Sequence, residues 1–370
     1  MRVLITGSKG FVGKNLSVRL SESTEFDVST FDRGESISSL RLKVQNADAV
    51  VHLAGVNRPS DIAEFTTGNA ELTAVLCQAI KDSGRAIALL LASSTQAGFT
   101  NPYGASKKQA EDVALQLAQE TGNPVSIFRL PNVFGKWCKP NYNSVVATFC
   151  HNVAHQLPLQ INDAAVTLNL VHIDDVVTAL IATLVSPPQL VGWPVVEPIY
   201  QIALGDLAEQ IRRFPEDRRA LLTGRVGAGL LRALYSTYLS YLPKSNFSYL
   251  IPSYEDQRGT FVEMLKTPDC GQFSFLTAHP GATRGGHYHH TKTEKFLIIQ
   301  GHARFSFKNV LTHERFELFC SHQPYQIVET IPGWAHDITN VGDDDLIVML
   351  WANEVFDPGK PDTISMKVSA

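Results

Sequence analysis

The first apolar run of the chain, Val3-Leu4-Ile5-Thr6, stops at Gly7, and Gly10 and Gly13 follow at three-residue steps. That pattern asks for a short buried strand, a tight turn and the N-terminus of a helix. Glycines let a ligand approach the backbone, and the helix end offers unpaired N–H groups, which together suit a pyrophosphate. A glycine pattern alone is weak evidence; at the first strand of an α/β chain it is much stronger. The following residues supply that setting. Asp27–Phe31 reads as a second strand, and residues 49–54 (AVVHLA) and 86–92 are nearly continuous apolar runs with a helical stretch at 71–80. Such runs mark strands covered on both faces of a parallel sheet. The expected architecture is α/β, a doubly wound parallel sheet.

Asp32-Arg33 follows the second strand. A carboxylate there holds a ribose hydroxyl and favours NAD, and an arginine holds a 2′-phosphate and favours NADP. Lys9, inside the glycine turn, adds a second cation, and the balance leans to NADPH. The alternative is that either cation is a solvated surface charge. The expected cofactor residues are Gly7, Lys9, Gly10, Phe11, Gly13, Asp32, Arg33, Leu53 and Ala54.

The run at 86–92 leads into Ser93-Ser94-Thr95, and strand ends are where such sheets bind ligands. Next comes NPYGASKKQAE, residues 101–111. Pro102 suits a first helical turn, and Tyr103 and Lys107 are four apart on one helix face. A nearby ammonium favours the ionised phenol, so a lowered tyrosine pKa is expected. The order of glycine turn, HLAG, SS, YGASK and RLPNVFG (129–135) resembles the extended short-chain dehydrogenase/reductase superfamily over residues 1–214, with its Rossmann-type sheet. The resemblance implies Ser94 (Ser93 less so), Tyr103 and Lys107 as catalytic residues, and Asn132 beside a nucleotide-sugar substrate. Residues 136–149, with Asn143, look like a substrate loop leading into a helix. Asp174 and Asp175 are expected to cap a helix.

Residues 215–242 read as helical, and Pro243-Lys244-Ser245-Asn246 marks a boundary. The expected domains are 1–243 and 244–370. Beyond the boundary, short runs rich in β-branched and aromatic residues suit an all-β barrel or jelly roll. Its most constrained stretch is 281–301, GATRGGHYHHTKTEKFLIIQG. His287 and His289 share one face of a strand. Glu294 lies five residues beyond His289, the wrong parity for an unbroken strand, so the polar 290–293 segment must bend. His336, in PGWAH, can add a fourth ligand. Imidazoles with a carboxylate suit Zn²⁺, Ni²⁺, Mn²⁺ or Fe²⁺; Zn²⁺ is expected.

This stretch resembles the first cupin motif through Gly281, His287, His289, Glu294 and Gly301. Gly333, His336 and Asn340 resemble the second, with Ile331 where a proline is usual and Pro332 next to Gly333. DQRGTF (256–261) looks like a signature of cupin epimerases acting on keto-deoxysugar nucleotides. Arg284-Gly285-Gly286-His287 aligns with the element that carries their catalytic histidine. Here that histidine belongs to the metal set, which implies a metal-dependent variant and leaves the proton-transfer residue open.

At 370 residues, with 44% hydrophobic and 18% charged residues and a formal charge of −4, the chain has no basic footprint for nucleic acid. No apolar run approaches a membrane span. Val3 to Thr6 reads as a core strand rather than part of a signal peptide. Cys77, Cys138, Cys150, Cys270 and Cys320 contain no CxxC pair and read as reduced cytoplasmic thiols. As a whole the chain resembles two-domain capsule-biosynthesis enzymes in which a reductase is fused to a metal cupin. That resemblance implies a homo-oligomer acting on a UDP-linked 4-keto-2-acetamido-2,6-dideoxyhexose. The cupin inverts C3, and the reductase then reduces C4 with NADPH to a UDP-2-acetamido-2,6-dideoxy-L-talose. Two other classes stand beside it: a single-activity reductase with a structural cupin used for oligomerisation, and a non-catalytic sugar sensor. Ser94, Tyr103 and Lys107 weigh against the sensor, and DQRGTF with the Arg284 element against a merely structural cupin.

Overall fold

A computed structural model describes residues 1–59, 61, 63–252, 254–256, 259–261, 265, 267, 271–354 and 359–368. Gln257, Arg258 and Cys270 lie outside them. The chain packs as two compact units, Met1–Ser144 with Thr167–Ile202 and Val145–Val166 with Ala203–Ala370. Among the described residues no helix is long and apolar enough to cross a membrane.

In the first unit the strands are β1 (Arg2–Thr6), β2 (Asp27–Phe31), β3 (Ala49–His52), β4 (Ala88–Ser94), β5 (Val125–Leu130), β6 (Asn132–Phe134), β7 (Thr167–His172), β8 (Val191–Gly192) and β9 (Tyr200–Ala203). Six of them form a parallel sheet in the order β2-β1-β3-β4-β5-β8, and β6-β7-β9 form a small second sheet. The apolar runs are long because both sheet faces are covered. In β1, Leu4 joins a core with Leu76 and Ile80 of the helix Leu72–Ser83. Its neighbours Val3 and Ile5 join the opposite core with Leu16 and Leu20 of the helix Phe11–Ser21. The chain winds outward from β1 to β2 and then returns to β3 on the other side. That reversal opens a crevice beyond the C-terminal ends of β1 and β3, where such sheets take ligands.

The second unit holds two five-stranded sheets, ordered by residue as 248–250, 326–329, 294–300, 346–352, 272–278 and as 315–321, 302–309, 334–340, 283–288, 364–365. Every pairing described within them is antiparallel, as the all-β expectation requires. The helices Val145–Ala154, Leu204–Arg219 and Gly229–Leu239 belong to this unit, so the packing division differs from the sequence division at 243. The reason is visible at Arg218. Its guanidinium lies 2.5 Å from Glu329, a buried strand residue that also pairs with buried Lys295. Stripping one partner from such a buried set costs about 3–5 kcal/mol, which ties the helix to the strands.

His52 closes β3. Its ring is buried, with Nδ1 2.6 Å from Thr6 Oγ1 and Nε2 3.0 Å from Thr73 Oγ1. Burial, and secondarily the Lys107 ammonium, push its pKa down to about 3. The unfolded ring titrates near 6.5, so the neutral ring stabilises the fold above that pH and the contribution is lost as pH falls toward 3. We expect urea unfolding of this unit to weaken by about 1.4 kcal/mol per pH unit below ~6.5 through this ring. His52→Gln should flatten that slope between pH 6.5 and 5. Equal slopes in both proteins would refute the assignment.

Candidate active site and metal centre

The glycine turn is a set of contacts that side chains would block. Gly7 has φ 74°, and a Cβ on it would stand 2.7 Å from Ala54 N. A Cβ on Gly13 would stand 2.2 Å from the Gly7 carbonyl oxygen. Gly10 takes the cap position of the helix Phe11–Ser21 without a side-chain cap bond, and Phe11 is the first helical residue. Leu53 and Ala54 follow β3 against Gly7. Asp32 turns back to this loop, accepting from the Ser8 hydroxyl at 2.6 Å and the Lys9 amide at 3.1 Å. The side chains of Lys9 and Arg33 are exposed, and neither forms an ion pair among the described residues.

At the end of β4 the two serines separate. Ser93 is buried and donates to Glu111 at 2.6 Å, and Glu111 is gripped by Arg129 at 2.6 and 2.9 Å. Ser94 accepts the Gln96 amide at 3.1 Å and shares a hydrogen bond with the Tyr103 phenol. The helix Pro102–Thr121 starts with Asn101 accepting the Gly104 amide at 2.8 Å. A Cβ on Gly104 would stand 2.2 Å from the Gln96 carbonyl oxygen, so glycine lets the helix press onto the β4 exit and bring Tyr103 to Ser94. Lys107, buried, donates to the Ala92 carbonyl at 3.2 Å and lies 5.9 Å from the Tyr103 ring centre.

The expected fall in the tyrosine pKa is not found. Burial raises it, and the Ser94 hydrogen bond offsets only part. The ammonium lies over the ring and makes no hydrogen bond to the hydroxyl among the described residues. Burial pushes Lys107 itself down to about 8, with Glu111 opposing. The grouping therefore presents a protonated phenol beside a serine hydroxyl.

Asn132 is exposed, and its amide donates to the Asn169 carbonyl at 3.3 Å. Asn143 is exposed in the loop after Gly135, and no described contact joins it to Asn132. Asp174 and Asp175 are not caps. His172 holds the cap position of the helix Ile173–Val185, and Asp174 instead pairs with buried Lys136 at 2.7 Å. Sequence reasoning missed Asn69, in the six-residue π-helical turn Thr66–Glu71. Its side chain accepts from Val56 N at 2.9 Å and donates to Val56 O at 3.1 Å and Ser106 Oγ at 3.0 Å. It thus ties the strap beyond β3 to the helix that carries Lys107. No periodicity marks it.

In the second unit His287, His289, Glu294 and His336 offer ligand atoms that all lie within 4.8 Å of one another. Gly285 (φ 103°) and Gly286 (φ 77°) precede His287 at a register shift in the strand Thr283–Tyr288. Such a bulge re-aims a side chain, and His287 comes to pair across the ladder with His336. His336 follows a turn in which Trp334 N donates to Ile331 O at 2.9 Å. Pro332 and Gly333 (φ 79°) take its two central positions, a sequence such turns favour. The displaced proline thus serves a sound turn, and Gly333 N donates to His289 O at 3.0 Å.

The expected bend between His289 and Glu294 is present. The carboxylate of Asp362 accepts the His290, Thr291 and Lys292 amides at 2.7–2.8 Å, and Asn353 accepts Thr293 N at 2.9 Å. Glu294 Oε2 ends 3.2 Å from His289 Nε2 and 3.4 Å from His336 Nε2. Among the described residues, buried His336 Nε2 has no partner in hydrogen-bond geometry. His287 is pushed down to about 4, by burial and then by the other two imidazoles. His336 is lowered by burial, with Glu294 opposing. Burial raises Glu294, but His289 and His336 hold it well below the usual carboxylate range. Burial lowers His289, yet bonding to Glu294 leaves it raised, so an incoming ion would displace the proton between them. The donor chemistry fits a divalent ion.

Residues 3–192 match the NAD dependent epimerase/dehydratase family, and residues 254–364 match the polysaccharide biosynthesis C-terminal domain. The chain is 55% identical to the UDP-2-acetamido-2,6-beta-L-arabino-hexul-4-ose reductase of Pseudomonas aeruginosa, over 100% of this chain and 99% of that one. The capsular polysaccharide assembling protein CapF from Staphylococcus aureus aligns over 100% of both chains with a TM-score of 0.68 and 40% identity. A CapF structure with the inhibitor 3-isopropenyl-tropolone aligns over 100% of both chains with a TM-score of 0.63 and 37% identity. With its parallel nucleotide-binding sheet, its glycine turn and its full-length likeness to these proteins, the chain belongs to the NAD dependent epimerase/dehydratase family of enzymes, in the form that carries a polysaccharide biosynthesis C-terminal domain.

Proposed function

We propose that this is a bifunctional nucleotide-sugar enzyme. Its C-terminal domain, a metal cupin, inverts C3 of a UDP-2-acetamido-2,6-dideoxy-4-hexulose. Its N-terminal domain then reduces C4 with NADPH to a UDP-2-acetamido-2,6-dideoxy-L-talose, for capsule or O-antigen synthesis. One observation carries the reading: a chain alike end to end to a hexul-4-ose reductase holds the Tyr103 phenol against Ser94. Gly7, Gly10 and Gly13 would seat a nicotinamide cofactor, which would supply hydride for C4. Ser94 holds the C4 oxygen, Tyr103 gives it a proton, and the buried Lys107 cation steadies the phenolate left behind. Lys9 and Arg33, both exposed, support a 2′-phosphate and hence NADPH.

At the second site, the hydrogen on C3 is acidic because a ketone stands at C4, and a divalent ion would polarise that ketone. Three imidazoles and a carboxylate fit Zn²⁺. His287, His289, Glu294 and His336 would hold the ion.

Tyr103→Phe should lower NADPH oxidation by ~10²–10⁴-fold, while C3 exchange in deuterated water, read by NMR, continues. An unchanged reduction rate would reject the assignment. Changing Lys9 and Arg33 together to Ala should weaken NADPH binding and spare NADH; equal affinity of the unmutated enzyme for both cofactors would rule this out. His289→Ala should empty the metal site and stop C3 exchange, while a ketone supplied already inverted at C3 is still reduced. Metal loss with intact exchange would make the ion structural.

A further inference from the structure

We infer that Asp362 is a positioning residue for the metal donors, acting from the C-terminal segment through both its carboxylate and its carbonyl; this rests on the metal reading proposed above. The carboxylate gathers the three successive amides of His290, Thr291 and Lys292 and also lies 3.2 Å from the Thr291 hydroxyl. The Asp362 carbonyl accepts from His289 Nδ1. A proton fixed on Nδ1 leaves the Nε2 lone pair for an ion, which is how such outer partners choose the tautomer. One residue therefore sets the orientation of His289 and the shape of the bend that returns Glu294.

The adjoining residues hold the other donor strand. Ile364 and Ser365 pair with Tyr288 and His287, and Met366 N donates to Gly286 O at 2.8 Å. The segment thus grips the chain on both sides of His289. The Asp362 carboxyl is held below its usual range; desolvation opposes this, and His290, by charge and by its amide, brings it about.

The test is zinc affinity of the full-length chain, stripped of metal and titrated in competition with a chromophoric chelator, with Co²⁺ absorption as a second reading. Asp362→Ala should weaken zinc by ~10–100-fold and alter the Co²⁺ spectrum. Asp362→Asn keeps one oxygen for the Thr291 and Lys292 amides and should fall between. It remains informative if the alanine variant does not fold. Asn309→Ala removes a side chain that accepts the Leu311 and Thr312 amides, each at 2.9 Å, and serves as the control for general loosening of the barrel. It should lower stability and leave zinc affinity unchanged. Zinc bound by the unmutated chain and equally well by the Asp362 variants, with the same Co²⁺ spectrum, would overturn the positioning role alone. An equal loss in Asn309→Ala would also overturn it, since any loosening would then suffice. An unmutated chain that takes up no ion would overturn the metal reading itself, and this role with it.

Discussion

The amides of His290, Thr291 and Lys292 converge on one carboxylate, and the bend that returns Glu294 to the imidazoles depends on that convergence. A strand would carry Glu294 to the face opposite His289. To bring it back, the chain must leave the ladder, and amides that leave a ladder inside a fold need new acceptors. A buried amide left unmet costs about 1–3 kcal/mol, and one bonded to a charged group gains about 1.5–3 kcal/mol. Asp362, Asn353 and Thr330 supply the acceptors, the last taking Glu294 N at 2.9 Å. The bend has few other shapes open to it, and the carboxylate is delivered among the imidazoles.

The first unit reaches the same end by subtraction. At Gly7, Gly13, Gly55 and Gly104 a Cβ would fall between 2.2 and 2.8 Å from a neighbouring atom, which real side chains do not tolerate. At Gly55 the nearest atoms belong to Asn69 and Lys107. Each glycine marks a place where a loop or helix start is pulled onto a strand exit. Those crossings put the helix N-terminus at the winding reversal and Tyr103 beside Ser94.

Much of this was legible in the sequence because burial leaves a pattern. β2 spans the residues read as the second strand, and β3 and β4 fall within two residues of their apolar runs. The glycine spacing falls on the tight turn against Ala54, and the residues singled out by histidine parity come together with Glu294 and His336 within 4.8 Å. What stayed hidden follows from physics that spacing does not carry. The four-residue step from Tyr103 to Lys107 reports proximity but not burial, and burial decides the phenol's pKa. Pro243 marks a break in the chain, but whether the preceding helices pack before or after it rests on Arg218 finding Glu329. Asp362 lies far down the chain from the bend it holds, so no local pattern joins them. Pro332, one residue later than the motif's usual proline, sits at the centre of the Ile331–Trp334 turn.

Strand Glu294–Gln300 shows how the second site and its support constrain each other. Glu294 faces the imidazoles, and Lys295, on the opposite face, meets Glu329, with its ammonium 3.2 Å from the Tyr249 hydroxyl. Both charges are buried, and each is stable only among its own partners. A slip of one residue would exchange the faces. Lys295 would then stand among three imidazoles and Glu294 against Glu329, leaving two buried charges opposed by like or unpaired groups. An apolar residue at 295 would remove that penalty and with it one guard on register. The buried ion set is thus better understood as holding Glu294 in place than as a source of net stability.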